Sequence, residues 1–172
     1  MVCAINAESS VLRTADTCRR KNGEIVVREN MLKDKRFYII EDDPGNMAII
    51  SVLIRQHGGL AIQDVYNTYS PDSLKRFMPL DLVLLDLMLR RGVTGYQVFD
   101  SLKADPVLSK LPVVIVSAAD PAMEMGKARE KGFMGYIEKP IDQRSFPLIL
   151  SSVLNGTPVW GELLETSDGG SG

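Results

Sequence analysis

The chain has 172 residues, 45% of them apolar and 24% charged, and a net charge of -2. That balance suits one soluble globular domain plus some extra length, able to bury a core without disulfides, and gives no reason to expect a polyanion partner. A single histidine, two early cysteines (Cys3 and Cys18) and no apolar run near ~18 residues exclude a multi-histidine metal site and a membrane span.

Residues 1–36 carry eight Lys/Arg and five Asp/Glu, and the remainder 12 and 17, so a net of +3 precedes a net of -5. An offset this small describes a solvated arm better than a nucleic-acid site. The N-terminus has no signal-peptide pattern, which together with free thiols points to the cytoplasm. Residues 1–35 show no sustained periodicity and read as a flexible extension. Asn22-Gly23 within them could turn a short hairpin, and the basic-Gly-aliphatic pattern faintly resembles the last strands of a PAS sensor module.

From Arg36 the pattern becomes regular. Phe37 to Ile40 is a short apolar strand ending in Glu41-Asp42-Asp43. Pro44-Gly45-Asn46 opens a helix to about Gln56, stopped by His57-Gly58-Gly59. Ala61 to Val65 reads as a second strand, Pro71 to Met78 as a short helix, and Leu82 to Leu85 as a third strand. A loop to Gly95 leads to a helix over Tyr96 to Ala104. Val113 to Val116 is a fourth strand, Ala122 to Lys131 a charged helix, and Gly135 to Glu138 a fifth strand. A last helix runs to about Leu154 and starts late, because Pro147 cannot sit in its interior. Residues 155–172 read as a flexible tail, although Trp160, Leu163 and Leu164 could pack back on the body.

Strands alternate with helices five times, and three strands are unbroken aliphatic runs, as in a parallel sheet covered on both faces. Residues 36–154 therefore form one doubly wound α/β domain. Ligands of such sheets bind beyond the carboxyl ends of the strands. Asp42 and Asp43 follow the first strand, Asp86 the third, Ser117 the fourth and Lys139 the fifth. Taken singly, an acid after a strand is a helix cap, Ser117 is a cap, and Lys139-Pro140 is a turn. Taken together they converge on one edge. Three carboxylates and one ammonium leave -2, which a divalent cation balances, and all-oxygen ligands favour Mg²⁺. Such a site can take a phosphoryl group onto a carboxylate.

Ile40-Glu41-Asp42-Asp43 with Asn46, Leu84-Leu85-Asp86, Val116-Ser117-Ala118 and Tyr136-Ile137-Glu138-Lys139-Pro140 resemble the receiver domains of two-component response regulators. The resemblance covers about residues 36–154. It implies a flavodoxin-like (βα)5 three-layer sandwich with a five-stranded parallel sheet in the order 2-1-3-4-5. It makes Asp86 the phosphoacceptor, Asp43 a direct Mg²⁺ ligand, Asp42 a water-mediated one and the Met88 backbone carbonyl another. Lys139 and Ser117 would contact the phosphate, and Tyr136 would be the switch aromatic that turns inward as Ser117 moves. The implied partners are a histidine kinase or phosphotransfer protein and an unknown downstream protein, with a homodimer possible and no nucleic acid or membrane involved. The chain would catalyse only its own aspartyl phosphorylation and dephosphorylation. Met88 and Ala119 offer no group to orient water, so self-dephosphorylation should be slow.

The loop after Asp86 departs from the family pattern. Leu89 replaces a usual Met, Arg90 a usual Pro, and Gly95 comes one residue late. His57, at a helix end, reads as a C-terminal cap rather than a phosphotransfer residue. Two rival functions stand beside the switch: a phosphorylation-independent interaction module, and an aspartyl-phosphate phosphatase. Met88 stands where the phosphatase would want a second carboxylate.

Overall fold

The computed structural model describes residues 18–21, 24–27, 30–63, 69–89 and 92–161. Strands β1 (Cys18–Lys21) and β2 (Glu24–Val27) pair antiparallel as a two-stranded sheet. That pairing agrees with the hairpin signal. Residues Asn22 and Gly23 themselves lie outside the described set.

The main sheet is parallel. β3 (Arg36–Ile40) lies between β4 (Leu60–Gln63) and β5 (Leu82–Leu85), followed by β6 (Val113–Ser117), β7 (Gly135–Glu138) and β8 (Val159–Trp160). Counted from β3, the order is the expected 2-1-3-4-5 with a sixth strand added beyond the fifth. The five-stranded expectation is thereby corrected. The signal was weak because β8 has two residues and no alternation to read.

Five helices cover the sheet: α1 (Pro44–Gln56), α2 (Pro71–Lys75), α3 (Gly95–Ala104), α4 (Pro121–Lys131) and α5 (Ser145–Leu154). The period-2 alternation of each strand divides its side chains between two cores. Tyr38, Ile40, Val83, Leu85 and Ile115 pack with Leu74, Val98, Phe99 and Ala128, under α2, α3 and α4. Phe37, Ile39, Leu84, Val114 and Val116 pack with Ile50, Ile54, Phe146 and Leu150, under α1 and α5. Both faces of the central strands are buried, which is why β5 is wholly apolar and β3 and β6 carry polar residues only at their ends, Arg36 and Ser117. Pro147 is the third residue of α5, in the first turn, where its missing N–H is not required. α2 ends at Lys75, three residues sooner than its pattern suggests.

The domain begins before Arg36. Leu32 is fully buried in the α1/α5 core, and its N–H donates to the His57 carbonyl at 2.9 Å. Asp34 N–H bonds to the Gly58 carbonyl, and Leu60 N–H to the Lys35 carbonyl. Residues 30–35 thus close over the C-terminal end of α1, where His57 is the C-cap, as expected.

Candidate functional site

Register brings the polar residues together. Ile40 stands opposite Leu85, so Glu41 and Asp86 leave the sheet side by side, and Asp86 N–H donates to the Ile40 carbonyl at 3.0 Å. Ser117 stands opposite Glu138, and the next residue, Lys139, donates its N–H to the Ser117 carbonyl at 2.9 Å. Lys139 follows β7, two strands from Asp86, and its long side chain spans the gap. Its Nζ donates to Asp86 Oδ2 and to Glu41 Oε2, each at 2.6 Å.

Both carboxylates are buried: Asp86 is 6% exposed and Glu41 3%. Their second oxygens are also engaged. Asp86 Oδ1 accepts from Met88 N–H at 2.9 Å, and Glu41 Oε1 from Asp43 N–H at 3.0 Å. Burial pulls the Lys139 ammonium toward neutrality, but hydrogen bonds and charge from Asp86 and Glu41 outweigh it and leave the pKa above the ordinary lysine value. The lysine therefore stays charged, and the trio carries -1. Taking away one partner of such a buried network leaves an uncompensated charge, at a cost of about 3–5 kcal/mol.

The three acids of the run Glu41-Asp42-Asp43 have different surroundings. Asp43 is the N-cap of α1: its Oδ1 accepts from Asn46 N–H at 2.9 Å, ahead of Pro44 in the first turn. Asp43, expected as the direct metal ligand, thus also serves as a helix cap through its Oδ1. The acid that shares the Lys139 ammonium with Asp86 is Glu41. A signal was present, since a proline at the first helical position marks the residue before it as the N-cap, where Asp is favoured. That gives Asp43 a capping duty beside Glu41-Asp42 at the strand end. Asp42 is half-buried and lines, with Glu41, Asp43, Arg55 and Gln63, a cavity of about 440 Å³ beside α1. Among the described residues no three His, Cys, Asp or Glu side chains stand together as a ready metal cluster.

Ser117 is fully buried at the end of β6, and its Oγ accepts from Ala119 N–H at 3.3 Å. Tyr136 is 4% exposed, with its hydroxyl donating to the Ala119 carbonyl at 2.5 Å. Burial raises its pKa to about 12, a hydrogen bond with Ser117 works in the opposite direction, and the charges of Glu124, Glu138 and Asp86 add to the rise. Met88 is 64% exposed beside Asp86. Arg90 and Arg91, the basic part of the long loop, lie outside the described residues. The loop ends at Thr94, which caps α3 in a reciprocal box with Gln97. Gly95 then passes so close to the acceptor loop that a Cβ would meet the Asp86 carbonyl and stand 2.7 Å from Leu87 Cα.

Comparison with known proteins agrees with this geometry. The family model described as "Response regulator receiver domain" matches residues 37–150. The chain is 27% identical over 121 residues to Protein PilH of Pseudomonas aeruginosa, covering 70% of this chain and 98% of PilH. It is 32% identical over 120 residues to the polar-differentiation response regulator DivK of Brucella anthropi, covering 70% and 96%. The receiver domain of the sensor histidine kinase PA1611 from Pseudomonas aeruginosa, solved with magnesium in its active-site cleft, superposes with a TM-score of 0.58 over 72% of this chain and 99% of that one, at 17% identity. Sheet order, helix placement and family match converge, and the chain belongs to the response regulator receiver domain family.

Proposed function

We propose that the chain is a phosphorylation switch whose acceptor is Asp86. The observation that carries this reading is the Lys139 ammonium held between the buried carboxylates of Asp86 and Glu41. In the transfer, an Asp86 carboxylate oxygen attacks the phosphorus of a phosphohistidine on a histidine kinase or phosphotransfer protein. The new O–P bond forms as the P–N bond breaks, and the leaving imidazole keeps the electron pair and takes up a proton. Lys139 is placed to stabilise charge on the transferring oxygens, and Ser117 to hydrogen-bond the product.

Glu41, Asp42, Asp86 and Lys139 sum to -2, and hard oxygen donors are available from Asp42, Asp86 and the Met88 carbonyl, a donor set that fits Mg²⁺. Bound there, the cation would supply the remaining charge neutralisation. The acyl phosphate carries roughly -1.5 to -2 charges against -1 for the free carboxylate, enough to rearrange the Lys139 network. The output is a changed protein-interaction surface read by a downstream protein in the cytoplasm, and the switching unit spans residues 30–161 rather than 36–154.

A phosphorylation-independent interaction module is the second reading, favoured by one observation: Tyr136 already lies inward, on the Ala119 carbonyl. Treatment with a small phosphodonor and Mg²⁺ separates the two. The switch reading expects one phosphate per chain in wild type and none in Asp86→Asn. Wild type that stays unmodified would favour the module.

A further inference from the structure

Strand β8 touches both the sheet edge and α4. Val159 and Trp160 run parallel beside Gly135 and Tyr136, and Val159 N–H donates to the Met134 carbonyl at 2.9 Å. Gly135 permits this approach, since a Cβ there would stand 2.8 Å from the Val159 carbonyl oxygen. Val159 is buried in the α1/α5 core, while Trp160 packs against the opposite core. Two residues therefore seal both faces of the sheet at its edge. On the α4 side, the Arg129 guanidinium lies 5.1 Å over the Trp160 ring.

Tyr136 connects this edge to the acceptor site. Its strand neighbours are Ile115 on β6 and Trp160 on β8, and Lys139 lies three residues further along the same chain. Its hydroxyl holds the Ala119 carbonyl in the loop that enters α4. α4 itself buries only Ala128. Beside it only Met125, half-buried, packs against the same core, and the remaining ties are polar: Tyr96 donates to Glu124 at 2.5 Å, and Lys127 Nζ sits 3.8 Å over the Tyr96 ring. An element with so little apolar anchorage is the one that shifts most readily against the sheet.

We propose that β8 is a strap across the edge of β7, latched to α4 through Trp160 and Arg129, and that it loosens when Asp86 is phosphorylated. This rests on the Asp86 reading above. Loosening uncovers the edge of β7 at Gly135 and Tyr136, the two residues that β8 pairs with. In the closed state the strap covers that edge and holds Tyr136 between two strands.

Trp160 is the chain's single tryptophan, so its emission reports on the strap alone. The experiment treats the full chain with acetyl phosphate and Mg²⁺. Phosphate gain by intact mass and acrylamide quenching of Trp160 are then read on the same sample. A population shift toward the open strap predicts red-shifted emission and quenching raised by about twofold in wild type, with neither in Asp86→Asn. Phosphate gain with unchanged emission would overturn the strap and leave the Asp86 reading standing. Absence of phosphate gain would overturn the Asp86 reading and the coupling with it, and the mass measurement tells these failures apart. Arg129→Ala, which releases α4 from the indole, should raise quenching before phosphorylation and narrow the difference between the two states. An undiminished difference would contradict the latch.

Discussion

Glu41, Asp42 and Asp43 are three consecutive acids with three different environments. Glu41 is buried on Lys139, Asp42 lines the cavity beside α1, and Asp43 caps a helix. Their substitutions should separate accordingly. Asp42→Asn should weaken Mg²⁺ binding by about tenfold or more, whereas Asp43→Asn, which keeps a capping oxygen, should change it little. Asp43→Ala should cost about 1 kcal/mol in a denaturant melt without loss of metal affinity. Isothermal titration with Mg²⁺ checks the pair, and a larger loss in Asp43→Asn than in Asp42→Asn would restore the original order of ligands. Tyr136 gives a pH signature. Its folded pKa is raised to about 12 from 10.0, mainly by burial, so the neutral phenol favours the native state. That stability is fully present below pH 10 and is lost as pH rises toward 12, by about 2 kcal/mol. Tyr96, also raised by burial and by Glu124, acts in the same direction. Comparing melts of wild type and Tyr136→Phe across this window isolates the Tyr136 share, and parallel curves would contradict it.

At the scale of elements, the site depends on how α3 begins. Thr94 and Gln97 fix its first turn, and Gly95 lets that turn approach the acceptor loop, with its N–H bonded to the Leu87 carbonyl at 3.1 Å. Gly95→Ala would force backbone against backbone, where no flexible side chain can yield. We expect it to destabilise by about 1–3 kcal/mol and to slow phosphate gain at Asp86 as the loop is displaced. Denaturant midpoint and phosphate gain check both, and an unchanged protein would show that the loop has room. Three strands were legible because they are buried on both faces and read as short apolar runs. The α1 start was legible too, from Pro44-Gly45. The capping duty it assigns to Asp43 was not drawn, because an acid beside two others looks like a cluster until the helix end claims it. β8 was illegible for a physical reason: its hold comes from Gly135, Met134 and Arg129, all distant in sequence.

For the molecule as a whole, the unit that folds is longer than the periodic region. Leu32 precedes the first core strand, yet it is fully buried and tied to His57 across the end of α1. A lone leucine in a charged stretch carries no periodic signal, so its burial could be seen only in three dimensions. Leu32→Ala should destabilise the domain by about 2–5 kcal/mol, measured by denaturant unfolding. A loss near zero would return residues 30–35 to the status of an arm. Within the described residues, no helix is long and apolar enough to cross a membrane.

The Lys139 bridge joins these scales, because register, burial and charge all meet at Asp86. Peptide-level mass spectrometry after phosphodonor treatment, with and without Mg²⁺, tests that convergence most directly. The expected result is a single phosphate on the peptide containing Asp86, dependent on Mg²⁺, lost in Asp86→Asn and strongly reduced in Lys139→Ala. A phosphate located elsewhere, or none on wild type, would contradict it.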